Sequence, residues 1–267
     1  MSDTPEQQGR HRYRIRFSKT GLLRWISHRD LARLWERIGR RAELDFSMTE
    51  GFHPKPRISF PSALALGVES DDEVVELELR VAMPVAELTR RLVDDRQPGL
   101  GIRQVALLPP GFGKAQVQSL EYEILLPADF DFAAVDEWIS SLKQRESITC
   151  SRKKKMLTFV LADHLLDLSR DQTSVRVCIA ARDGASMKVE DLIDQFDAAG
   201  RAPSAAQADA DPEAEPVSAS QDWIARGAVI RRTVVRLEKE FESDDADQTV
   251  HDRPANKQRN HSEFQHD

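Results

Sequence analysis

The sequence YRIRF at residues 13–17 and the sequence SHRDLARLWERIGRRA at residues 27–42 decide the fold of this 267-residue chain. In the first, apolar and charged side chains alternate strictly, which is typical of a half-buried β-strand. In the second, Ser27 occupies the position of a helix N-cap, and Asp30 follows three positions later in the register of a capping box. The apolar side chains after this cap recur at helical spacing and predict one buried stripe, made of Leu31, Leu34, Trp35, Ile38 and Ala42.

The elements expected after this helix complete the order βαββαβ. Residues 57–60 and 73–81 predict the second and third strands. Pro84 marks the first turn of a second helix, and a fourth strand follows at residues 102–108. This order is that of the ferredoxin-like split unit. We therefore predict a ferredoxin-like domain with a basic surface over residues 11–110.

The remainder of the chain repeats this order more weakly. The predicted elements are strands at residues 120–126, 156–161, 174–181 and 229–237, with helices at residues 132–142 and 189–196. Residues 200–220 have almost no apolar side chains to bury and predict a disordered linker, and the polar residues 242–267 predict a disordered tail. We therefore predict an α+β protein of two ferredoxin-like halves in tandem, the second over residues 117–241.

The net charge of −7 conceals a basic segment near the start of the chain. Residues 1–57 carry 13 Lys and Arg against 7 Asp and Glu, and residues 10–57 alone reach +8. An acidic protein with a basic segment of this kind can bind nucleic acid. The alternative is that acidic neighbours in the fold neutralise these charges. We expect this for Arg14 and Arg16, which should face Glu76 and Glu78 on a sheet face that the helices leave uncovered.

Three features within the basic segment could bind an anion. His28 and Arg29 follow the cap at the positive end of the first helix, whose backbone N–H groups are free to bind phosphate. In the loop GFHPKPR at residues 51–57, two prolines stiffen the backbone around three cationic side chains. Arg40 and Arg41 extend an arginine-rich helix face. The residues predicted to bind nucleic acid or another anion are Lys19, Ser27, His28, Arg29, Arg33, Arg37, His53, Lys55 and Arg57.

The sequence contains no pattern for a metal or cofactor site. There is no CxxxCxxC, no GxGxxG and no P-loop. Cys150 and Cys178 are the only cysteines, too few for a zinc knuckle or a disulfide framework. No apolar run approaches the roughly 18 residues that span a bilayer. We therefore expect a cytoplasmic protein that has no cofactor, metal site or membrane contact of its own.

Taken together, these motifs resemble a bacterial family of radical-SAM-linked proteins, a domain of unknown function. The matching stretches are RFSKTG at residues 16–21, SHRDL at residues 27–31, GFHPKPRISF at residues 51–60 and LALGVES at residues 64–70, followed by Glu73. The family usually has Leu where this chain has Arg29. The resemblance implies an accessory role beside, or fused to, a cobalamin-type radical S-adenosylmethionine enzyme, which supplies the iron–sulfur chemistry. It also implies a genomic setting near genes for RNA processing and ribosomal proteins.

We therefore expect an accessory partner of such an enzyme that binds RNA or a ribonucleoprotein substrate through its basic N-terminal surface. Two alternatives stay open: an RNA-processing or RNA-modifying enzyme that uses His28 or His53 as general acid/base, and a purely protein-binding module. A shared site of His28, His53 and Lys55 would require residues 43–50, between helix and loop, to be nearly extended.

Overall fold

The computed structural model describes residues 10–152, 155–181, 186–197 and 219–241. The first unit contains, in chain order, strand β1 (His11–Lys19), a 3-10 turn (Gly21–Trp25), helix α1 (His28–Arg41), strands β2 (Ile58–Ser59) and β3 (Glu69–Leu79), helix α2 (Val85–Asp94) and strand β4 (Leu100–Leu107). The second unit contains strand β5 (Val117–Leu125), helix α3 (Phe132–Gln144), strands β6 (Ser147–Arg152) and β7 (Lys155–Val160), helix α4 (Leu161–His164), strands β8 (Leu165–Arg170) and β9 (Ser174–Ala180), helices α5 (Val189–Asp197) and α6 (Ala219–Ala225) and strand β10 (Val229–Leu237).

One large sheet carries both units. Its strand order is β4-β1-β3-β10-β5-β9-β8, and β2 pairs with one end of β3. Within each unit the order is that of a ferredoxin-like fold: β4-β1-β3-β2 in the first and β10-β5-β9-β8 in the second. The prediction of an α+β protein with two ferredoxin-like halves is confirmed. The domain limits at residues 110 and 117 stay a prediction, because the sheet runs through both halves without a break.

The pairing of β10 with β3 joins the two units. These strands run parallel, with Arg231 opposite Glu69 and Arg232 opposite Ser70. Strand β2 leaves this end of β3 free because it is only two residues long. A proline lies two residues before β2 and another lies two residues after it, and proline has no N–H to continue a strand ladder.

The second unit differs from the expected repeat by one hairpin. Strands β6 and β7 pair with each other in a separate two-stranded sheet. The strand predicted at residues 156–161 is β7, so it belongs to this hairpin and not to the large sheet. Its expected place is taken by β8, which pairs with β9 and was not predicted. Strand β8 is an edge strand with Asp167 and Arg170 among its leucines, so its alternation is weak.

Two predicted segments fall largely outside the described residues. The tail at residues 242–267 lies wholly outside them, as does the linker from residue 200 to residue 218. The last two residues of the predicted linker, Ala219 and Ser220, begin helix α6, so the prediction extended two residues too far. In the described parts of the chain, no helix is both long and apolar enough to cross a membrane.

The core of the first unit forms as the periodicities predict. Tyr13 and Phe17 of β1 are fully buried, and the five apolar residues of the α1 stripe pack over this strand. The rings of Phe17 and Trp35 meet edge to face with their centres 5.0 Å apart. At the start of α1 the backbone N–H of Asp30 donates to the Ser27 hydroxyl over 3.2 Å, which confirms the cap.

The arginines of β1 form ion pairs on the sheet face opposite the helices. Arg14 contacts Glu76 at 2.8 Å, which confirms the ion pair predicted from strand order, and both side chains are buried. Arg16 contacts Asp72 at 2.6 Å. Glu78 pairs with neither arginine, so its expected role was wrong. The charges of Arg14 and Arg16 are therefore neutralised by carboxylates and add nothing to an RNA-binding surface.

This sheet face is also covered, contrary to expectation. Phe112 and Phe241 lie over it with their ring centres 5.6 Å apart. The Arg14 guanidinium lies 5.4 Å from the centre of the Phe112 ring and donates to the backbone carbonyl of Lys239 over 3.0 Å. The segments that follow β4 and β10 therefore close the face that the helices leave open.

A buried ion cluster lies where the two units join. Arg232 of β10 donates to the Glu73 carboxylate of β3 over 2.9 Å, to the Tyr122 hydroxyl of β5 over 2.9 Å and to the carbonyl of Ala63 over 3.1 Å. Burial raises the pKa of the Glu73 carboxyl and of the Tyr122 hydroxyl. A buried guanidinium is tolerated only with such partners, so β3, β5 and β10 must lie side by side.

Removing one member of the Glu73–Arg232 pair should destabilise the fold strongly. Removing both members together should cost less than the sum of the two single losses. We expect Glu73→Leu or Arg232→Met alone to lower the free energy of unfolding by about 3–5 kcal/mol, because each leaves a buried group without its charged partner. The double variant should lose clearly less than the sum of the single losses. Urea denaturation of the four proteins measures this coupling.

Strictly additive losses would contradict it. The exposed pair of Arg80 and Asp45, whose side chains approach to 2.6 Å, is the control. Replacing that pair should change the unfolding midpoint little, since solvent screens exposed ion pairs.

Candidate functional site

The outer face of α1 carries a stripe of exposed arginines. The helix packs its apolar stripe on the sheet, so residues at the complementary spacing face solvent. Arg29, Arg33, Arg37 and Arg40 occupy this outer face and are all exposed. Four guanidinium groups thus lie along one side of a 14-residue helix.

Only part of this positive charge has an acidic partner. Arg33 contacts Asp30 at 3.2 Å. The side chains of Arg29, Arg37 and Arg40 make no hydrogen bond and no ion pair with any residue that the structure describes. By contrast, Arg41, the last residue of α1, is bound by Asp95 with 2.7 Å between Arg41 Nη2 and Asp95 Oδ2. Three guanidinium groups of α1 therefore remain open to an external anion.

The segment at residues 48–56, here called the 48–56 loop, folds back on itself beside α1. Met48 and Pro56 form an isolated bridge. The N–H of Thr49 donates to the carbonyl of Lys55 over 2.8 Å, and the N–H of Lys55 donates to the Thr49 hydroxyl over 3.0 Å. Gly51 at the tip has a φ of 115°, a left-handed conformation that favours glycine. The loop is therefore closed by its own backbone and exposes Lys55.

Arg57 stabilises this loop by a hydrogen bond to its first residue. It is half-buried, and its Nε donates to the carbonyl of Met48 over 3.1 Å. Its guanidinium also approaches Glu78 at 3.9 Å. Of the cations predicted in this stretch, Lys55 and His53 are exposed and Arg57 has a structural role.

A cleft of about 600 Å³ separates α1 from the 48–56 loop. Its lining consists of Arg33, Glu36, Arg40, Leu44, Asp45, Phe46, Met48, Pro54, Lys55, Pro56 and Arg80. The floor is apolar and the rim is charged. Phe46 reaches the helix because Gly39 has no side chain there: a Cβ on Gly39 would lie 2.1 Å from Phe46 Cε2. Gly39, in the last turn of α1, thus lets Phe46 approach the helix at the floor of the cleft.

Some of the charged side chains around the cleft are paired with each other, and others are free to bind a ligand. Arg80 donates to one oxygen of Asp45 over 2.8 and 2.6 Å, so these two residues neutralise each other. The side chains of Arg40 and Lys55 on the rim, and of Glu36 on the wall, have no hydrogen-bond or ion-pair partner among the described residues. The cleft therefore offers free cations beside one free carboxylate.

His28 and His53 do not share a site. The ring of His28, at the start of α1, lies edge to face against Phe60 with 5.3 Å between ring centres. The tip of the 48–56 loop lies at the other end of the unit, where Glu50 contacts Arg10, just before β1, at 3.5 Å. These contacts lie at opposite ends of the unit and do not support the hypothesis of one site shared by His28, His53 and Lys55. Lys55 lies instead with Arg33 and Arg40.

Two other predicted site residues have structural roles. Lys19 is only 1% exposed, and its Nζ lies 3.4 Å from the carbonyl oxygen of Ile26. The alternation of β1 could have placed it inside, because Lys19 has the same parity as Tyr13 and Phe17. The Ser27 hydroxyl forms the helix cap by accepting from the backbone N–H of Asp30. It also donates to the Asp30 carboxylate, and this hydrogen bond lowers the pKa of the Asp30 carboxyl.

Sequence reasoning missed several residues of the cleft and the junction. Arg40 is not among the residues predicted to bind an anion, although its spacing from Arg29 places it on the same stripe of α1. Arg80 and Arg232 carry no local motif, since their roles depend on contacts across the fold. Among the described residues, no three His, Cys, Asp or Glu side chains are grouped so that they could bind a metal ion.

The fold and the site together define an α+β protein of two ferredoxin-like units, with a cation-rimmed cleft on the first. Residues 12–189 match the family described as "Uncharacterized protein conserved in bacteria (DUF2344)", and the chain belongs to this family. No curated protein matches the chain. The matched region begins in β1 and reaches the first residue of α5, so it includes α1, the 48–56 loop and the cleft.

Replacing Lys19 tests its interior position. Burial lowers the pKa of Lys19 below its ordinary value of 10.5. Between these two pKa values the unfolded chain binds the proton more readily, so the stability of the parent should rise with pH up to about 10.5. The Lys19→Met variant has no ammonium group at this position, so its stability should not rise with pH in this way. We expect its free energy of unfolding, relative to the parent, to fall as pH rises from 7 toward 10.5, measured by urea denaturation. A difference that does not change with pH would contradict the buried position.

Proposed function

We propose that this protein is a non-catalytic, cytoplasmic partner of a radical S-adenosylmethionine enzyme and binds RNA, or an RNA-containing ribonucleoprotein, through α1 and the 48–56 loop. The observation that carries the proposal is that the guanidinium groups of Arg29, Arg37 and Arg40 have no partner among the described residues and lie along the helix that borders the cleft with Lys55. The link to the enzyme rests on the motifs that resemble radical-SAM-linked proteins. Two of these motifs, residues 27–31 and 51–60, contribute to this surface.

Arginine chemistry favours a phosphate-bearing partner. The planar guanidinium binds a phosphate through two parallel hydrogen bonds, which the point charge of lysine cannot do. Arg29, Arg37 and Arg40 lie together on α1, and each faces outward. In a chain with a net charge of −7, this concentration attracts a polyanion to one face while the rest of the surface repels it.

The start of α1 adds to this surface. His28 and Arg29 are the first two residues of the helix, and Ser27 caps only the N–H of Asp30. The backbone N–H groups of the first turn and the helix dipole both favour an anion at this end. A phosphate near His28 would lie in line with the arginine stripe, so one strand of RNA could follow the whole helix.

RNA fits this surface better than a flat acidic protein does. The cleft beside the stripe has an apolar floor, and unstacked bases of single-stranded RNA bind apolar and aromatic side chains while their phosphates bind cations. The separation of His28 from His53 favours binding over catalysis. General acid/base chemistry requires its groups within hydrogen-bond reach of one reacting centre, roughly 3 Å.

Neutralising the unpaired arginines should weaken RNA binding more than neutralising paired ones. We expect the parent to bind single-stranded RNA with a steep dependence between about 50 and 200 mM salt. The triple variant Arg29→Gln, Arg37→Gln, Arg40→Gln should lose roughly tenfold or more in affinity at about 100 mM salt. Its salt slope should fall by about 2, since each phosphate contact on a single strand contributes about 0.7. Fluorescence anisotropy titration measures both quantities.

The matched control removes the same charge elsewhere. Arg90, Arg103 and Arg176 are exposed arginines on other elements, each with an acidic neighbour. Replacing these three by Gln should leave affinity and salt slope close to those of the parent. Equal losses in both triple variants would contradict a defined surface, and absence of binding at low salt would overturn the RNA-binding proposal.

The partner enzyme is tested separately. A tagged full-length chain should co-purify a cobalamin-type radical S-adenosylmethionine enzyme from its own cells, identified by mass spectrometry. The yield should survive nuclease treatment and the triple arginine replacement, because the accessory role requires a protein contact that RNA does not bridge. Loss of the enzyme on nuclease treatment would contradict a direct partnership.

A further inference from the structure

The cleft between α1 and the 48–56 loop has the size of a small-ligand site. Its volume of about 600 Å³ lies within the range of roughly 300–1,000 Å³ that such pockets occupy in proteins. A single nucleotide fits in this space, whereas the width of a double helix does not. A base can reach the floor only when it is unpaired and turned away from its neighbours.

The floor of the cleft suits the flat face of a base. Phe46 packs against α1 at Gly39 and is 8% exposed, so its ring forms a fixed base to the cleft. Met48, which is 43% exposed, also lines the cleft, with Pro54 and Pro56 on the loop side. Stacking on such apolar and aromatic surfaces contributes to binding of single strands whatever the base is.

The rim supplies contacts to the phosphates on either side of that base. Arg40 and Arg33 lie on the helix side of the cleft and Lys55 on the loop side. Arg80 does not compete for this role, because Asp45 already binds its guanidinium. Cations on both rims flank an apolar floor, which is the arrangement that a backbone crossing the cleft requires.

Glu36 distinguishes among bases. Its carboxylate lines the cleft and receives no hydrogen bond from a described residue. A carboxylate can only accept hydrogen bonds. The Watson–Crick edge of guanine carries two adjacent donors, at N1 and N2, that match the two oxygens of a carboxylate. Uracil presents one donor between two carbonyl oxygens, which Glu36 would repel.

We propose that this cleft binds one unpaired nucleotide of single-stranded RNA and selects guanine over uracil through Glu36. This inference rests on the proposed RNA-binding function, to which it adds a preferred base and a subsite. Arg33 and Arg40 lie at helical spacing from Glu36 but do not remove the selectivity, since any ion pair that they formed with it on the helix surface would be weak and would exchange readily for a bidentate partner.

Titration of the full chain with matched RNAs tests the inference. The probes are a 12-nucleotide oligouridine, the same strand with one central guanosine, and a hairpin in which that guanosine is paired. We expect the strand with unpaired guanosine to bind roughly 5- to 100-fold more tightly than the other two, as for other bidentate base contacts. Glu36→Gln should abolish this preference, and it should not weaken binding to oligouridine, because the carboxylate that repels the uracil carbonyl oxygens is gone.

Glu43→Gln is the matched control, because it makes the same charge change at an exposed position near the end of α1 that does not line the cleft. It should keep the preference for guanosine. Met48→Ser should weaken both single strands, because it removes part of the apolar floor.

The possible failures are distinguishable. RNA binding with equal affinity for the guanosine and uridine strands, unaffected by Glu36→Gln, would overturn the guanine subsite and leave the proposed function in place. Absence of binding to any of the RNAs would overturn both. Tight binding of an acidic peptide that displaces the RNA and strengthens in Glu36→Gln would show that the cleft accepts protein carboxylates, and would also overturn the subsite.

Discussion

The buried guanidinium of Arg232 is the interaction on which the arrangement of this molecule depends. It is stable in the interior only because Glu73, the Tyr122 hydroxyl and a backbone carbonyl surround it. These partners come from β3, β5 and a loop of the first unit, so the cluster forms only when both units share one sheet. Glu69 extends the constraint: it accepts from Arg231 at 3.1 Å and from the N–H of Gly21 at 3.0 Å. The turn that leads into α1 is thereby tied to the junction.

Arg14 and Arg16 of β1 differ from the arginines of α1 in their partners. Those of β1 point to the sheet face away from the helices, where Glu76 and Asp72 neutralise them and Phe112 and Phe241 cover them. Those of α1 project from the outer side of a helix whose apolar stripe is buried. Most of the α1 arginines contact no described acidic side chain, so the unpaired positive charge of this helix lies on one surface. That surface borders a cleft that combines an apolar floor with cations that have no partner among the described residues.

Local periodicity was sufficient to predict the parts of the fold that local forces determine. The alternation of β1, the apolar stripe of α1 and the Ser27 cap were all recognisable, because each depends on neighbours within a few residues. The pair Arg14–Glu76 followed from strand order. The position of Lys19 could also have been predicted from the alternation of β1, but its positive charge suggested a surface role.

The remaining features depend on contacts that no local pattern records. Arg232 meets Glu73 across 159 positions of sequence and Tyr122 across 110. The cover over the sheet face comes from chain segments that follow β4 and β10 and have no periodicity of their own. The separation of His28 from His53 follows from the closed 48–56 loop, which the prolines alone did not predict. The cleft itself depends on Gly39, whose missing side chain matters only because Phe46 approaches it from outside the helix.

Ultraviolet crosslinking of the full-length protein to RNA in its own cells, followed by mass spectrometry of the crosslinked peptides, tests the central claim most directly. The account predicts that the crosslinked residues fall on the outer face of α1 and on the 48–56 loop. Crosslinks confined to the second unit, for example to the hairpin of β6 and β7, would contradict the assignment of RNA binding to the first unit.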